Sequence, residues 1–333
     1  MPVTLATLPR KGRTVGLKAP LPRLFSLRLY LAALTAQALH SMLRAHSVLG
    51  NSQRLDGGAM FGNAPKELWQ GWLSPDSQNR LEFSCRALLI DDGRQKTLLE
   101  TGIGAFFEPK LAQRYGVVES EHVLLNSLAQ LGLTHSDIDN VVLSHLHFDH
   151  AGGLLSPWRS GEPRHLLFDK ARFITSRTAF ERAVAPHPRD RASYIPELPE
   201  LLNATGRLCL VSDDSDAQSL LGQAFRFTTT HGHTPGMLHT EVQGSTRSLF
   251  FCADLVPGVP WVHLPITMGY DRFAEQLIDE KAAIFQRFLA DETWLFFTHD
   301  KETAAAQLTC DPKGRYSVKN GMPSLDWDLD APT

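Results

Sequence analysis

The sequence has few cysteines, and none of them are closely spaced. The four in 333 residues are Cys85, Cys209, Cys252 and Cys310, without a Cys-x-x-Cys motif. This spacing excludes a disulfide-rich framework and a zinc ribbon as the basis of the fold. We therefore expect reduced thiols. A chain of this length, 43% hydrophobic and 21% charged, has enough apolar residues to bury a large core.

Acidic residues are missing from the first 55 positions, which hold eight Lys or Arg and no Asp or Glu. The remaining positions carry 25 basic and 36 acidic side chains, so the rest of the chain is acidic. An acidic surface argues against nucleic acid as a partner. Apart from residues 24–39, no stretch approaches the roughly 18 apolar residues of a membrane span.

Residues 1–41 are expected to form a basic, non-catalytic extension. A secretory signal is one interpretation, because Ala36-Gln37-Ala38 is similar to a cleavage site, although Arg28 interrupts the apolar run. An Arg-rich transit peptide is a second. The third, which we favour, is a working start near Met42 with the preceding residues translated from an upstream codon. It predicts a cytoplasmic protein, whereas a signal peptide over residues 1–38 predicts a secreted or periplasmic one.

No serine or cysteine stands in a nucleophile-elbow motif, which argues against a covalent acyl-enzyme. The sequence has instead a dense group of metal ligands. Directly after the apolar run 138–143 come four donors: His145, His147, Asp149 and His150. Imidazole nitrogen and carboxylate oxygen are ligands that zinc and similar divalent ions prefer. Four such donors are too crowded for one tetrahedral ion, so the segment predicts two adjacent metals.

Three further donors complete this set. His233 lies in a Gly/Pro turn, and Asp254 and His299 each end an apolar run. Functional side chains of α/β proteins are commonly placed where buried strands give way to loops. Five histidines and two aspartates at such positions predict a dinuclear hydrolytic centre.

At these residues the chain resembles the metallo-β-lactamase fold superfamily, specifically its dinuclear hydrolases. The resemblance is carried by HxHxDH at 145–150, GHTPG at 232–236, the later Asp254 and the late His299, and it covers about residues 45–318. The wording SHLHFDHAGG at 144–153 is most similar to N-acyl-homoserine lactone lactonases. The layout is also similar to that of methyl parathion hydrolase.

The resemblance implies a role for each donor. The first metal would be bound by His145, His147 and His233, the second by Asp149, His150 and His299, and Asp254 would bridge them. The expected cofactors are two divalent ions, with zinc favoured over iron, manganese or cobalt, and a shared hydroxide as nucleophile. Asp149 and Asp254 are the candidate catalytic residues for proton transfer, and the choice between them stays open. Glu100 stands where the family commonly has an aspartate that orients a ligand histidine.

The substrate pocket is expected to be built from loops and aromatic side chains, as in many hydrolases. Four residues are candidates for its lining: Trp261, His263, Tyr270 and Phe106. By analogy with the family, the Pro-rich connection over residues 185–199 would overhang the site.

Apolar periodicity predicts an α/β fold with two runs of strands, each followed by a helix. Together with the resemblance, this indicates an αβ/βα four-layer sandwich with two mixed β-sheets and helices outside. The catalytic domain is expected over residues 42–318, with a C-terminal tail at 319–333. Within it we predict a strand over 83–91, a long helix over 270–289 and a last core strand over 294–298. Ser176 is predicted to cap a helix that begins at residue 177.

The expected reaction is cleavage of a lactone or carboxylic ester, with phosphotriester cleavage as the alternative. The related lactonases place a tyrosine three residues after the bridging aspartate, where this sequence has Pro257. Another donor, such as Tyr270 or His263, would then assist the metals. A mononuclear iron oxidoreductase resembling persulfide dioxygenases is the alternative from another class, disfavoured by the full donor set. The expected partner is a small molecule, and a homodimer stays open.

Overall fold

A computed structural model describes residues 43–212 and 214–331. The predicted extension at residues 1–41 lies outside the described residues. The strands are β1 (Arg44–Val48), β2 (Gln53–Asp56), β3 (Arg80–Phe83), β4 (Ala87–Asp91), β5 (Lys96–Leu99), β6 (Asn140–Val142), β7 (Arg172–Ser176), β8 (Leu208–Val211), β9 (Phe225–Thr230), β10 (Met237–Gln243), β11 (Ser248–Phe251), β12 (Trp294–Phe296), β13 (Ala305–Cys310), β14 (Tyr316–Met322) and β15 (Asp326–Asp328).

Helices connect these strands. They are α1 (Gly57–Phe61), α2 (Lys66–Trp69), α3 (Pro109–Arg114), α4 (Val123–Gln130), α5 (Phe148–Ala151), α6 (Arg177–Val184), α7 (Leu198–Ala204), α8 (Asp214–Leu221) and α9 (Ala274–Asp291). None of the helices in the described ranges has the length and apolar character needed to cross a membrane.

The strands form two large mixed sheets and one small sheet. The first large sheet has the order β15-β1-β4-β5-β6-β7-β8, and the second has the order β14-β13-β12-β11-β10-β9. Strands β5 to β8 pair in parallel, as do β11 and β12, while the other neighbours are antiparallel. The small sheet pairs β2 with β3.

The buried apolar residues form two clusters, which meet opposite faces of the first large sheet because alternate residues of a strand point to opposite faces. In β4, Leu88 and Ile90 join the cluster shared with the second sheet, while Ala87 and Leu89 join the cluster beneath α4 and α7. On the second sheet, Phe250 of β11 packs against the helix α9. The arrangement is the four-layer sandwich that the sequence predicts.

The strand predicted over residues 83–91 is interrupted after Phe83, and β4 starts only at Ala87. In the gap, the Arg86 backbone N–H donates to the carbonyl of Thr298 at 2.9 Å, and its buried guanidinium donates to two further carbonyls. The chain crosses here from the small sheet to the first large sheet. Apolar alternation alone does not reveal the crossing, because the residues on both sides are buried.

The end of the chain corrects two predictions. Strand β12 is not the last core strand, because β13 and β14 extend its sheet. The predicted tail at residues 319–333 contains the end of β14 and all of β15, which pairs with β1. Leu325 and Leu329 are 3% and 0% exposed, so this segment belongs to the core. The exposed edge strand β14 has few apolar residues and therefore gave little sequence signal.

Two helix predictions have different outcomes. The Ser176 cap is confirmed, since its hydroxyl accepts a hydrogen bond from the Ala179 N–H at 3.0 Å. The long helix predicted from residue 270 begins only at Ala274. Its first predicted residues form an irregular segment, in which Asp271 turns back to accept from the Met268 N–H at 2.6 Å.

Candidate metal centre

The predicted donors meet at the edge where strands of both large sheets end. His145 follows β6, and Asp149 and His150 lie in the short helix α5. Asp254 lies in a 3-10 turn directly after β11, and His299 follows β12. His147 precedes α5, and His233 lies in the β9–β10 connection. Parallel pairing of β5 with β6 and of β11 with β12 brings the carboxyl ends of these strands to one edge.

All seven predicted donors lie in this cluster, in two groups. Within each group the potential ligand atoms lie within 4.8 Å of one another. One group is His145, His147, His233 and Asp254, and the other is Asp149, His150 and His299, while Glu100, His145 and His150 form a further triad that overlaps both. Asp149 is the least buried, with 16% of its side chain exposed.

Asp254 belongs to the first group and also contacts the second. Its Oδ2 is 3.1 Å from Nε2 of His233, in the first group. Its Oδ1 is 3.2 Å from Nε2 of His150 and 3.1 Å from Nε2 of His299, in the second group. One carboxylate thus faces both groups with different oxygens, as the predicted bridge requires.

Burial and charge set the protonation of these groups. Burial, together with neighbouring imidazoles, holds the pKa of His145 and of His147 well below its ordinary value. Burial acts to raise the pKa of Asp254, but the imidazoles of His150, His233 and His299 outweigh it and hold that pKa well below its usual range. His145 and His147 are therefore neutral and Asp254 is charged, which are the forms that bind metals. Burial acts to lower the pKa of His150, His233 and His299, but the nearby carboxylates outweigh it and raise that pKa, so a metal ion would displace a proton from these three imidazoles.

The residues fit divalent metal ions. Nε2 of His145 and Nε2 of His147 are buried and have no hydrogen-bond partner among the described residues. A buried polar atom without a partner is destabilising by about 1–3 kcal/mol, so native structures rarely leave one unsatisfied. A metal ion bound in the first group would satisfy both atoms, and the imidazoles and carboxylates of the two groups are typical ligands of zinc and related ions.

Glu100 makes the contact predicted for it. Its Oε2 lies 2.9 Å from Nδ1 of His150, and its Oε1 accepts a hydrogen bond from the Ser144 hydroxyl. The same hydroxyl lies 2.9 Å from Nδ1 of His145, so one glutamate acts on a histidine of each group. Glu100 has a φ of +65°, an unfavourable conformation for a residue other than glycine. This strained backbone aims the carboxylate at the site.

Two further partners of the histidines were not predicted. Asp271 Oδ1 lies 2.8 Å from Nδ1 of His233, and both side chains are almost completely buried. The Ser84 carbonyl lies 2.7 Å from Nδ1 of His299, at the interruption between β3 and β4. Neither contact has a sequence signal, because the partners are distant in the chain. Such contacts fix the tautomer and orientation of a ligating histidine.

We expect Asp271→Ala to weaken metal binding by about 10–100-fold, because His233 then loses the carboxylate that orients it. Titration against a chromophoric chelator measures the affinity. Asp279→Ala is the matched control, since it removes an exposed carboxylate from the nearby helix α9. An unchanged affinity in Asp271→Ala would show that the rest of the fold already fixes His233.

A cavity of about 380 Å³ opens onto the donors. Its walls include the apolar side chains of Leu55, Met60 and Met268, and the aromatic side chains of Tyr115 and Tyr270. Small-molecule sites commonly have volumes of about 300–1,000 Å³ and mostly apolar walls. The cavity therefore has the size and character of a site for a small, largely apolar molecule.

Of the four predicted pocket residues, Tyr270 lines this cavity and the other three do not. Trp261 is 2% exposed and its indole N–H donates to the Met60 carbonyl at 3.0 Å. His263 stacks on Trp72, with ring centroids 5.0 Å apart, and Phe106 is buried in the core. These corrections share a cause, since an aromatic side chain in a loop is equally able to point inward and pack.

The Pro-rich connection forms part of the cavity wall through Arg189, Asp190, Ala192 and Ser193. Asp190 is held by Arg182 of α6 at 2.6 Å. Arg189 donates to the Gly269 carbonyl at 3.0 Å, which ties this wall to the one that carries Tyr270. Arg189 is the only cationic side chain among the described residues that line the cavity.

The fold and the cluster define a metallohydrolase. Residues 80–299, about two-thirds of the chain, match the model of the metallo-beta-lactamase superfamily. The chain belongs to this superfamily of metal-dependent hydrolases.

Solved structures share the fold. A probable metal-dependent hydrolase from Staphylococcus aureus is 24% identical, with a TM-score of 0.74, and the match covers 85% of this chain and 99% of that one. AidC, a dizinc quorum-quenching lactonase, is 18% identical with a TM-score of 0.66, over 83% of this chain and 94% of its own. An N-acyl homoserine lactone hydrolase is 18% identical with a TM-score of 0.57, over 78% and 94%.

Proposed function

We propose that this protein is a dinuclear hydrolase that cleaves a lactone or a carboxylic ester. The observation that carries the proposal is Asp254, whose two oxygens face separate histidine groups at 3.1–3.2 Å. A site for a single ion would not need a second group of donors beyond this carboxylate. The second group is intact, which also argues against the mononuclear iron oxidoreductase.

The two groups would hold two divalent ions, with zinc as the expected metal. When bound, such a pair lowers the pKa of a shared water and polarises the oxygen of the scissile group. The chain's own contribution is to hold these donors rigidly. Glu100 and Asp271 fix three of the histidines, directly or through Ser144.

We assign proton transfer to Asp149 rather than to Asp254. Both oxygens of Asp254 already face imidazoles, and the residue is 6% exposed. Both carboxylates line the cavity, but the side chain of Asp149 is the more exposed, and its Oδ2 lies 3.8 Å from Nε2 of both His150 and His299. It makes no hydrogen bond to any described residue, so it is free to accept a proton and deliver it to a leaving alcohol.

Tyr270 is our candidate for the hydrogen-bond donor that Pro257 does not supply. It lines the cavity, whereas the other candidate, His263, stacks on Trp72 outside it. Burial, and then the negative charge of Asp149, raise the pKa of Tyr270. The phenol therefore stays protonated at neutral pH and is able to donate to an oxyanion.

Phosphotriester cleavage is the second candidate. Two observations together favour it. The cavity is mostly apolar, which suits a neutral triester, and Pro257 stands where the related lactonases have a tyrosine. A phosphate monoester or nucleic acid is disfavoured, because beyond the ligand histidines and the proposed metal ions Arg189 is the only Lys or Arg among the described lining residues that could pair with further negative charge.

The test is a hydrolysis screen of zinc-loaded protein on three matched substrate classes: acyl lactones, aryl esters and aryl phosphotriesters. We expect the lactones and esters to give a kcat/KM at least about tenfold above that for phosphotriesters. The reverse order would establish the second candidate. Tightly bound iron at one ion per chain, with no hydrolysis of any class, would overturn the proposal in favour of the oxidoreductase.

A further inference from the structure

A lysine is fully buried against the turn at residues 261–266. Lys281 lies on α9 and is 0% exposed. Its ammonium donates to the carbonyls of Trp261 at 3.1 Å, His263 at 3.4 Å and Ile266 at 2.7 Å. No carboxylate of the described residues lies within ion-pair distance of it. Since an ammonium has three donors, these three carbonyls satisfy it fully.

A buried cation without an ion-pair partner is unfavourable compared with an apolar side chain of the same shape. Burial lowers the pKa of Lys281 to about 7, and the negative charge of Asp271 opposes that shift. A methionine would fill the same space without this cost. The lysine is therefore explained by its three hydrogen bonds rather than by packing.

The three carbonyls belong to the turn at residues 261–266. The residues that follow this turn, Met268–Asp271, are called the wall segment. Within it, Met268, Gly269 and Tyr270 line the cavity, and Asp271 contacts the metal-ligand candidate His233. Helix α9 starts directly afterwards, at Ala274. The wall segment is thus held at both ends by the same helix, by chain connectivity at one end and by Lys281 at the other.

We propose that Lys281 is a positioning residue that fixes the wall segment, and through it both the shape of the substrate cavity and the orientation of His233. Its ammonium closes the loop from Trp261 to α9 without touching the cavity itself. The part of this proposal that concerns substrate rests on the proposed function. The part that concerns the wall segment does not.

The test is Lys281→Met, which keeps the unbranched stem and removes all three donors. Amide hydrogen exchange is measured on the zinc-loaded protein. We expect exchange in residues 261–271 to accelerate by about tenfold or more, including the Met268 amide that donates to Asp271. For an ester substrate, KM should rise by about fivefold or more, with kcat reduced less than about threefold.

Arg287→Met is the matched control, because it removes a cation from the same helix. Arg287 pairs with Glu241 of β10 at 2.8 Å and shares none of the three hydrogen bonds that Lys281 donates to the turn. We expect it to leave both KM and exchange in residues 261–271 unchanged.

The proposal would be overturned if Lys281→Met kept the wild-type exchange rates in residues 261–271 and the wild-type KM, with equal or higher thermal stability. Lys281 would then only fill space in the core. If that variant does not fold, Lys281→Gln decides, because it keeps two N–H donors on a shorter arm. If Lys281→Gln shows faster amide exchange in residues 261–271 and a higher KM than the wild type, the proposal is supported. If both quantities keep their wild-type values, the proposal is overturned. If the wild type hydrolyses none of the substrates but Lys281→Met still exchanges faster in residues 261–271, the proposed function is refuted. The positioning role of Lys281 would then still stand.

Discussion

Asp254→Asn lowers kcat by at least about a hundredfold, and this is the largest single-residue effect that we expect. The substitution preserves the size of the side chain but replaces one oxygen by an NH₂ group and removes the negative charge. Whichever way the amide is oriented, its NH₂ then faces one of the two histidine groups. An NH₂ group has no lone pair to offer a metal ion. Steady-state kinetics and metal analysis of the purified variant measure the two consequences.

Asp311→Asn is the control for this variant. Asp311 lies in the β13–β14 turn, where it pairs with Arg315, so the same chemical change occurs away from the cluster. We expect normal turnover and metal content there. Near-normal turnover in Asp254→Asn itself would refute the bridging role. Detection of an acyl-enzyme by mass spectrometry would refute the direct attack of water.

Removal of the metals with a chelator is expected to reduce activity by about a thousandfold or more, and to lower the unfolding temperature. Folding brings seven mostly buried donors together, and without an ion several of them have no partner. Adding back about two equivalents of zinc should restore both activity and stability. Elemental analysis, combined with a thermal unfolding assay, follows the titration.

Single-site variants then separate the two groups. His145→Ala should lose mainly the ion of the first group, and His299→Ala mainly that of the second. His135→Ala removes a partly exposed histidine outside the cluster and should keep the full metal content. Full activity with one ion per chain, together with full activity in His299→Ala, would contradict the dinuclear assignment.

The part of the site that could be predicted from sequence consists of residues that lie close together in the chain. Four donors stand within six residues at 145–150, and their spacing alone indicates a metal site. The Ser176 cap depends on a bond to an amide three residues away, so local preference was sufficient. The remaining donors, and Glu100, were found because their motifs resemble those of a family in order and spacing.

The pocket could not be predicted in the same way. Trp261 was expected to line it, but its indole donates to Met60, which is 201 residues away in sequence. Asp271 supports His233 across 38 residues, and the Ser84 carbonyl reaches His299 across 215. Aromatic character and position in a loop do not specify which way a side chain points. That direction is decided by the partner that packing brings near.

The sequence by itself predicted a cluster of metal-binding His and Asp side chains, because ligand spacing is a local property of a chain. Apolar periodicity, together with the resemblance that the motifs carry, predicted the superfamily and the four-layer architecture. Only the tertiary structure decided which side chains and carbonyls orient the ligand histidines and which residues line the cavity. It also decided that β15 completes the first sheet beside β1. These depend on contacts between segments that the sequence separates by tens to hundreds of residues. Such contacts follow from the packing of the whole core and leave no local pattern at either partner.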